Sequence, residues 1–288
     1  RAVWVPFMSL TMSSESDKSE AAFQKKFGEI VKTSKEKGMN TLIVQVRPFG
    51  DAFYRSSLFP WSHLLTGTQG QDPGYDPLEY MVKAAHENGL EIHAWVNPLR
   101  IQLNTNPSEL AENNPYTQWS QDESKKRWVV EYESGKYFNP AYAEVRKYIA
   151  DGVKEIVQNY DVDGIQFDDY FYPGENIDDN DAYRRYGNGV SLGDFRRRSV
   201  DEMVKACYEV IKSINGNIKF GISPRGIWKN KSSDLIGSES NSLESYYDLY
   251  MDTLTWIDEH IVDYIAPQIY WSTDNNDINY EVMVSWWN

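Results

Sequence analysis

The sequence has 288 residues, 41 % hydrophobic and 25 % charged, a balance that excludes a disordered chain and suits one large domain or two modest ones. Against 43 acidic side chains stand 29 basic ones; the formal net charge of −14 excludes a phosphate-backbone binder and disfavours an anionic membrane surface. One cysteine rules out an internal disulfide and a Cys-rich zinc site, and no apolar run reaches the roughly 18 residues of a membrane span.

In chain order, Ala2–Met8 reads as a first strand. The stripe Ala22, Phe23, Phe27, Ile30, Val31 then predicts a helix that stops at Gly38. Thr41–Val46 is the second strand and runs into Arg47-Pro48-Phe49-Gly50-Asp51-Ala52-Phe53-Tyr54. Arg47 shares the parity of Gln45 and would stand at the rim, holding a carboxylate or a substrate anion. Asp51 reads as a second catalytic carboxylate, an acceptor for sugar hydroxyls, or the partner of Arg47; Tyr54 lies in the same loop. Asp76-Pro77-Leu78-Glu79 supplies an N-cap, an N1 proline and an N3 glutamate to a helix ending at Gly89.

The third strand, Glu91–Val96, puts His93, Trp95 and Asn97 on one parity, facing the interior and its mouth. His93 reads first as a core imidazole and second as a base. After a long connection from Pro98 to Phe138, Asn139-Pro140 opens a helix with Val145, Ile149, Val153, Ile156 and Val157 on one side; Asn139 is a further candidate for substrate contact. The fourth strand, Val162–Phe167, ends in Asp168-Asp169-Tyr170-Phe171-Tyr172-Pro173. A helix after Asp194 places Cys207 among Val200, Met203, Val204 and Ile211, as a buried thiol. Lys219–Ile222 leads to Ser223-Pro224-Arg225-Gly226-Ile227-Trp228. A helix carrying Tyr247, Tyr250, Leu254, Ile257 and Ile261 precedes the last strand, Tyr264–Ile269, with Gln268, Tyr270 and Trp271 at its end. A final helix begins near Asn279.

Strands apolar on both parities, alternating with helices, predict right-handed βαβ crossovers and a parallel sheet. Phe7-Met8-Ser9-Leu10 stands where a dinucleotide fold would place its glycines, and the long connections all follow strands. That asymmetry selects a (β/α) TIM-like barrel over an open doubly wound sheet. Six units are visible where eight close a barrel. The expectation is one barrel domain over 1–288, C-terminally incomplete, with a gap between the first and sixth strands.

The acid pair carries the chemistry. Alternation assigns Gln166, Asp168 and Tyr170 to one face, so Asp168 points into the mouth and Asp169 can turn to join it. Two neighbouring carboxyls near apolar walls suit glycosidic cleavage, because desolvation and a like charge keep one protonated. The alternatives are a capped loop or a structural cation. The 10 Trp, 20 Tyr and 11 Phe admit two readings, a platform that stacks on sugar rings (Trp228, Tyr270, Trp271) or a bulky core. The histidines make no metal-ligand spacing, so no metal is assigned, and no cofactor is implied. A Gly-x-Ser-x-Gly elbow and a Walker loop are both missing, which leaves esterase and phosphotransfer readings without a starting point.

With these segments assembled, the sequence resembles the glycosyl hydrolase-like family 10, formerly domain of unknown function 187. The resemblance rests on Leu42–Pro48 with Gly50–Tyr54, on His93–Pro98, on Asp163–Pro173, on Gly221–Pro224 with Gly226–Trp228, and on Ala266–Trp271. It implies a TIM-like barrel, hydrolysis of a glycan, and secretion or lipoprotein anchoring in bacteria. Some relatives look like peptidoglycan glycosidases that prefer strands stripped of their peptides. Residue by residue, it puts the acids on Asp168 and Asp169 and rim residues on Arg47, Asp51 and Asn97. The helix after the acid loop departs from the pattern Trp-Arg-Arg-x-Asn-Val-Asn, reading Phe195-Arg196-Arg197-Arg198-Ser199-Val200-Asp201. The more distant family 18 chitinases share Asp163-Gly164 but place a glutamate where Tyr170 stands.

The resulting expectation is a glycoside hydrolase of cell-wall or related amino-sugar polysaccharide, outside the cytoplasm. Asp168 or Asp169 is its acid. The substrate contacts are drawn from Arg47, Tyr54, His93, Trp95, Asn97, Asn139, Tyr170, Arg225, Trp228, Gln268, Tyr270 and Trp271. The competing readings are a carbohydrate-binding barrel without catalysis and a deacetylase with His93 and Asp168 around one metal.

Overall fold

A computed structural model describes residues 1–288. Six strands form one parallel sheet: β1 (Ala2–Val5), β2 (Thr41–Arg47), β3 (Glu91–Val96), β7 (Gly164–Phe167), β8 (Lys219–Ile222) and β9 (Tyr264–Ile265), adjacent in that order. β1 and β9 do not pair, so the sheet is a parallel half-barrel with two open edges, and the expected gap is where the unit count put it.

One parity of each central strand packs outward on the helices. Leu42, Val44, Val46, Ile92, Ala94, Ile165, Phe167, Phe220 and Ile222 are all fully buried there. They meet Phe23 and Phe27 of helix Glu20–Glu36, Leu78 and Met81 of Pro77–Glu87, Ile149 and Val153 of Ala143–Asn159, and Met203 and Cys207 of Leu192–Ile214. Each Val, Leu, Ile, Phe or Met among them contributes about 1.5–3 kcal/mol of burial. Ser19, Asp76, Ser191 and Asn279 cap their helices through side-chain oxygens, at about 1 kcal/mol each.

The other parity builds a narrow polar interior. Tyr264 Oη donates to Gln166 Oε1 at 2.5 Å, so His93 Nδ1, 2.8 Å from the same hydroxyl, is the donor to it. Room for these groups comes from two glycines. A Cβ on Gly164 would lie 2.6 Å from the His93 ring, and one on Gly221 would lie 2.0 Å from the Tyr264 ring.

Several elements differ from expectation. The first strand stops at Val5, because Pro6 has no N–H to donate and the chain turns into the short helix Phe7–Leu10. β9 is two residues long, and beyond Pro267 the backbone of Gln268 meets β8's continuation as an isolated bridge to Arg225. The single helix expected around Tyr247–Ile261 is two, Ser245–Asp248 and Thr253–Asp258. Tyr250 between them has φ +56°, a left-handed backbone that interrupts the helix, and its hydroxyl accepts from Arg196 Nη1 at 2.8 Å. The Pro98–Phe138 connection contains a second sheet, antiparallel, of β4 (Arg100–Gln102), β5 (Val129–Tyr132) and β6 (Gly135–Phe138) in the order β4-β6-β5.

Candidate active site

β7 ends at Phe167, whose carbonyl accepts from Ser223 N, and the chain then turns. Tyr170 N donates to Asp168 Oδ1 at 3.1 Å and Phe171 N to the Asp169 carbonyl at 3.0 Å. This turn brings both carboxyls to a cleft of about 380 Å³, floored by Trp4, Trp95 and Ser223 and rimmed by Tyr170 and Tyr270. The rim phenols are open to solvent, Tyr170 at 54 % and Tyr270 at 81 % exposure, whereas Asp168 is 3 % exposed.

Asp168 is held by a chain of hydrogen bonds across four strand ends. Phe7 N donates to Gln45 Oε1 at 3.0 Å; a backbone amide cannot accept, so Gln45 presents Nε2 to Asn97 Oδ1, at 2.6 Å. Asn97 therefore turns Nδ2 to Asp168 Oδ2, at 2.5 Å, where Trp95 Nε1 also donates at 2.9 Å. Burial pushes the Asp168 carboxyl up to about 7; the charge of Arg100 and the donors from Tyr170 and Trp95 pull the other way, and Asp169 adds to the rise. Asp169 is also raised by burial, against the donor Gln268 Nε2 on its Oδ1 at 2.9 Å and the charges of Arg225 and Arg100.

Of the residues singled out in the sequence, Asp168, Asp169, Trp95, Asn97, Tyr170, Gln268 and Tyr270 come together here. His93 sits a layer deeper with Tyr264, and burial lowers it toward the neutral form. Arg225 gives Nε to the Leu243 carbonyl at 3.2 Å, with its charge near Asp169.

The others lie elsewhere. The β2–β3 register shifts between Gln45 and Arg47, and this bulge reverses the parity on which the rim position of Arg47 depended. Arg47 is fully buried, with its guanidinium 4.4 Å over Phe59 and its pKa lowered by burial. Asp51 is fully buried as well, but Oδ2 accepts from Gln69 Nε2 and meets His63 Nδ1, both at 2.9 Å, so it ties the loop after β2 and not the cleft or Arg47. Tyr54 packs edge-on to Tyr160 in the helix layer. Asn139 caps its turn, accepting from Ala141 N. Trp228 is 4 % exposed and stacks on Trp286, while Trp271 packs against Ile227; neither joins a sugar platform with Tyr270.

Sequence reasoning missed Trp4 and Arg100. Trp4 shares parity with Ala2 and Pro6, the signal that would have turned it inward, and it meets Trp95 edge-on at 5.1 Å. Arg100 lies three residues past Asn97 in what read as loop; the Val129–Tyr132 and Gly135–Phe138 hairpin around Glu133-Ser134 was the clue to the sheet that anchors it.

A parallel half-barrel with its long connections at the carboxyl ends of the strands has the architecture of part of a TIM-like (β/α) barrel. The glycoside hydrolase domain of PgaB (BpsB) from Bordetella bronchiseptica shares the fold with a TM-score of 0.62, over 93 % of this chain and 73 % of that one, at 12 % identity. The α-L-fucosidase isoenzyme 2 of Paenibacillus thiaminolyticus does so at 0.54, over 82 % and 34 %, at 16 % identity.

The chain belongs to the glycosyl hydrolase-like 10 family, which it matches over residues 1–288. It is 40 % identical to the glycosyl hydrolase YngK of Bacillus subtilis and 37 % identical to the glycosyl hydrolase DigH of Escherichia coli K12, each over its whole length. It spans 57 % of the length of the first and 67 % of the second.

Proposed function

We propose that the protein is a glycoside hydrolase of bacterial cell-wall or related amino-sugar polysaccharide, with Asp168 as general acid. The observation that supports this most is the hydrogen-bonding of Asp168. Both acceptor sites of Oδ2 are filled by donors, and Oδ1 takes one more from Tyr170 N. A proton on this carboxyl has one lone pair left to occupy, on Oδ1, and no partner in the protein accepts it. A glycosidic oxygen seated in the cleft is the natural recipient. As the bond to the leaving oxygen breaks, Asp169 in its ionised form faces the positive charge that develops on the sugar ring, and a water then adds to the anomeric carbon and returns a proton to the carboxyl pair. Tyr170 and Tyr270 offer ring faces to the neighbouring sugars. The reaction is read as extracytoplasmic, since that is where such a polymer lies.

Mass-spectrometric analysis of products from intact and peptide-stripped peptidoglycan tests the reading. Wild type should release saccharide fragments that neither Asp168→Asn nor Asp169→Asn releases. Glycan binding without any product would replace the hydrolase by a carbohydrate-binding barrel.

A further inference from the structure

Burial pushes each of two neighbouring carboxyls toward its protonated form, and a nearby positive charge opposes that push. Behind Tyr170, outside the cleft lining, lies a group that neither role above uses. Arg100, at the start of β4, is only 6 % exposed; its Nε donates to the Pro48 carbonyl at 2.9 Å, and no carboxylate pairs with it directly. Its guanidinium carbon lies 5.0 Å from the Phe49 ring centre and 4.6 Å from that of Tyr170. Tyr170 belongs to the same turn as both acids and donates its N–H to Asp168. The strand pairing of Arg100 with Tyr137 of β6 fixes the backbone from the other side.

We propose that Arg100 is a positioning residue of the acid pair: a counter-charge locked between the Phe49 and Tyr170 rings beside the acid turn, which favours the ionised form of both carboxyls. On this view the inserted β4-β6-β5 sheet serves the site by delivering that charge. The proposal rests on the hydrolase reading for its catalytic meaning, but not for its electrostatic content.

The other titratable or charged groups facing the pair are few. Tyr170 lies on the acids' own turn, Arg225 follows β8, Tyr270 follows β9, and Tyr137 faces Arg100 from β6. Arg100 acts on both acids and on Tyr170, whereas Arg225 acts on Asp169. Removal of Arg100 therefore raises both carboxyls, and removal of Arg225 raises Asp169.

The test is the pH profile of kcat/KM on a released saccharide, read beside a 13C-carboxyl NMR titration of Asp168 and Asp169. In Arg100→Met and Arg100→Gln both limbs should move up by about one pH unit, with matching NMR shifts. Arg100→Lys should keep the wild-type limbs, and Arg225→Met should move only the lower one. A structural defect would lower the height of the profile and leave its limbs in place. Unmoved limbs and unmoved carboxyl titrations in a folded Arg100→Met or Arg100→Gln overturn the inference while the hydrolase reading stands. If wild type hydrolyses no glycan, that reading fails alone, and the carboxyl titrations still decide the role of Arg100.

Discussion

Asp51 and Asp168 both stand just beyond the end of a central parallel strand, and both are shielded from bulk water. Their surroundings differ in one respect. Asp51 is enclosed by the loop it holds, with Gln69 and His63 on the same oxygen, and Gln69 in turn accepts from Ala111 N and Asn114 Nδ2. Asp168 is tied as firmly, by Trp95, Asn97 and Tyr170, but one side of it opens on a cleft. Burial makes a carboxyl's protonation sensitive to its neighbours; an opening toward substrate is what can turn that sensitivity into chemistry.

The largest effect is expected at Asp168. Asp168→Asn should reduce kcat by about 10²- to 10⁴-fold with the fold intact by circular dichroism. In wild type the acid must be protonated, so activity should fall as pH rises through about 7, where burial has moved this group. An alkaline limb far above that value would transfer the acid role to another residue.

Next comes the chain of amides behind it. Asn97→Ala removes a donor from Asp168 and strands Gln45 Nε2, and kcat/KM should drop about 10- to 100-fold, or ~1.5–3 kcal/mol. Gln45→Ala should cost less, since it leaves the Asn97 donor to Asp168 in place and removes only the partners of Asn97 Oδ1 and Phe7 N. Equal and negligible losses in both would mean that Asp168 needs no such orientation.

Asp51→Ala should behave in the opposite way, destabilising by about 1–3 kcal/mol in denaturant melts through the unpaired Gln69 and His63. Activity per folded molecule should stay within about twofold. Loss of activity without loss of stability would erase the contrast between the two acids.

The smallest effect sharpens the contrast with a third acid. Asp201 is also pushed up to about 7 by burial, against the donor Trp256 Nε1 at 2.6 Å, yet it lies between helices and away from the cleft. The folded protein holds this proton between about pH 4 and 7 after the unfolded chain has released it, so stability declines across that window and the full cost is present above 7. Asp201→Asn keeps the acceptor for Trp256. It should gain about 2 kcal/mol at pH 8 and almost nothing at pH 4, with activity unchanged. An equal gain at both values would show that burial does not hold this proton.

Much of the site was legible because strand periodicity is local. Trp95 with Asn97, and Gln166 with Asp168, share a parity that any reader of the sequence can count, and the abrupt change from Phe167 to two acids marks a strand end. Arg47 shows the limit of that counting, since one bulge against β3 sends it to the opposite face. Trp228 and Trp271 show another: loop aromatics stack on whatever lies nearest, here Trp286 and Ile227, and no pattern of spacing names that neighbour.

The sequence by itself determined the alternation of six parallel strands with helices, the outward apolar parity and the place where the acids emerge, because these follow from propensity and period along the chain. Only the tertiary structure decided that Asp168 would be gripped by Asn97 and Trp95, that Asp51 would be walled in, and that Arg100 would come to lie under Tyr170. Those outcomes depend on contacts between residues 12 to 73 positions apart, made by register and loop packing that the one-dimensional pattern does not encode.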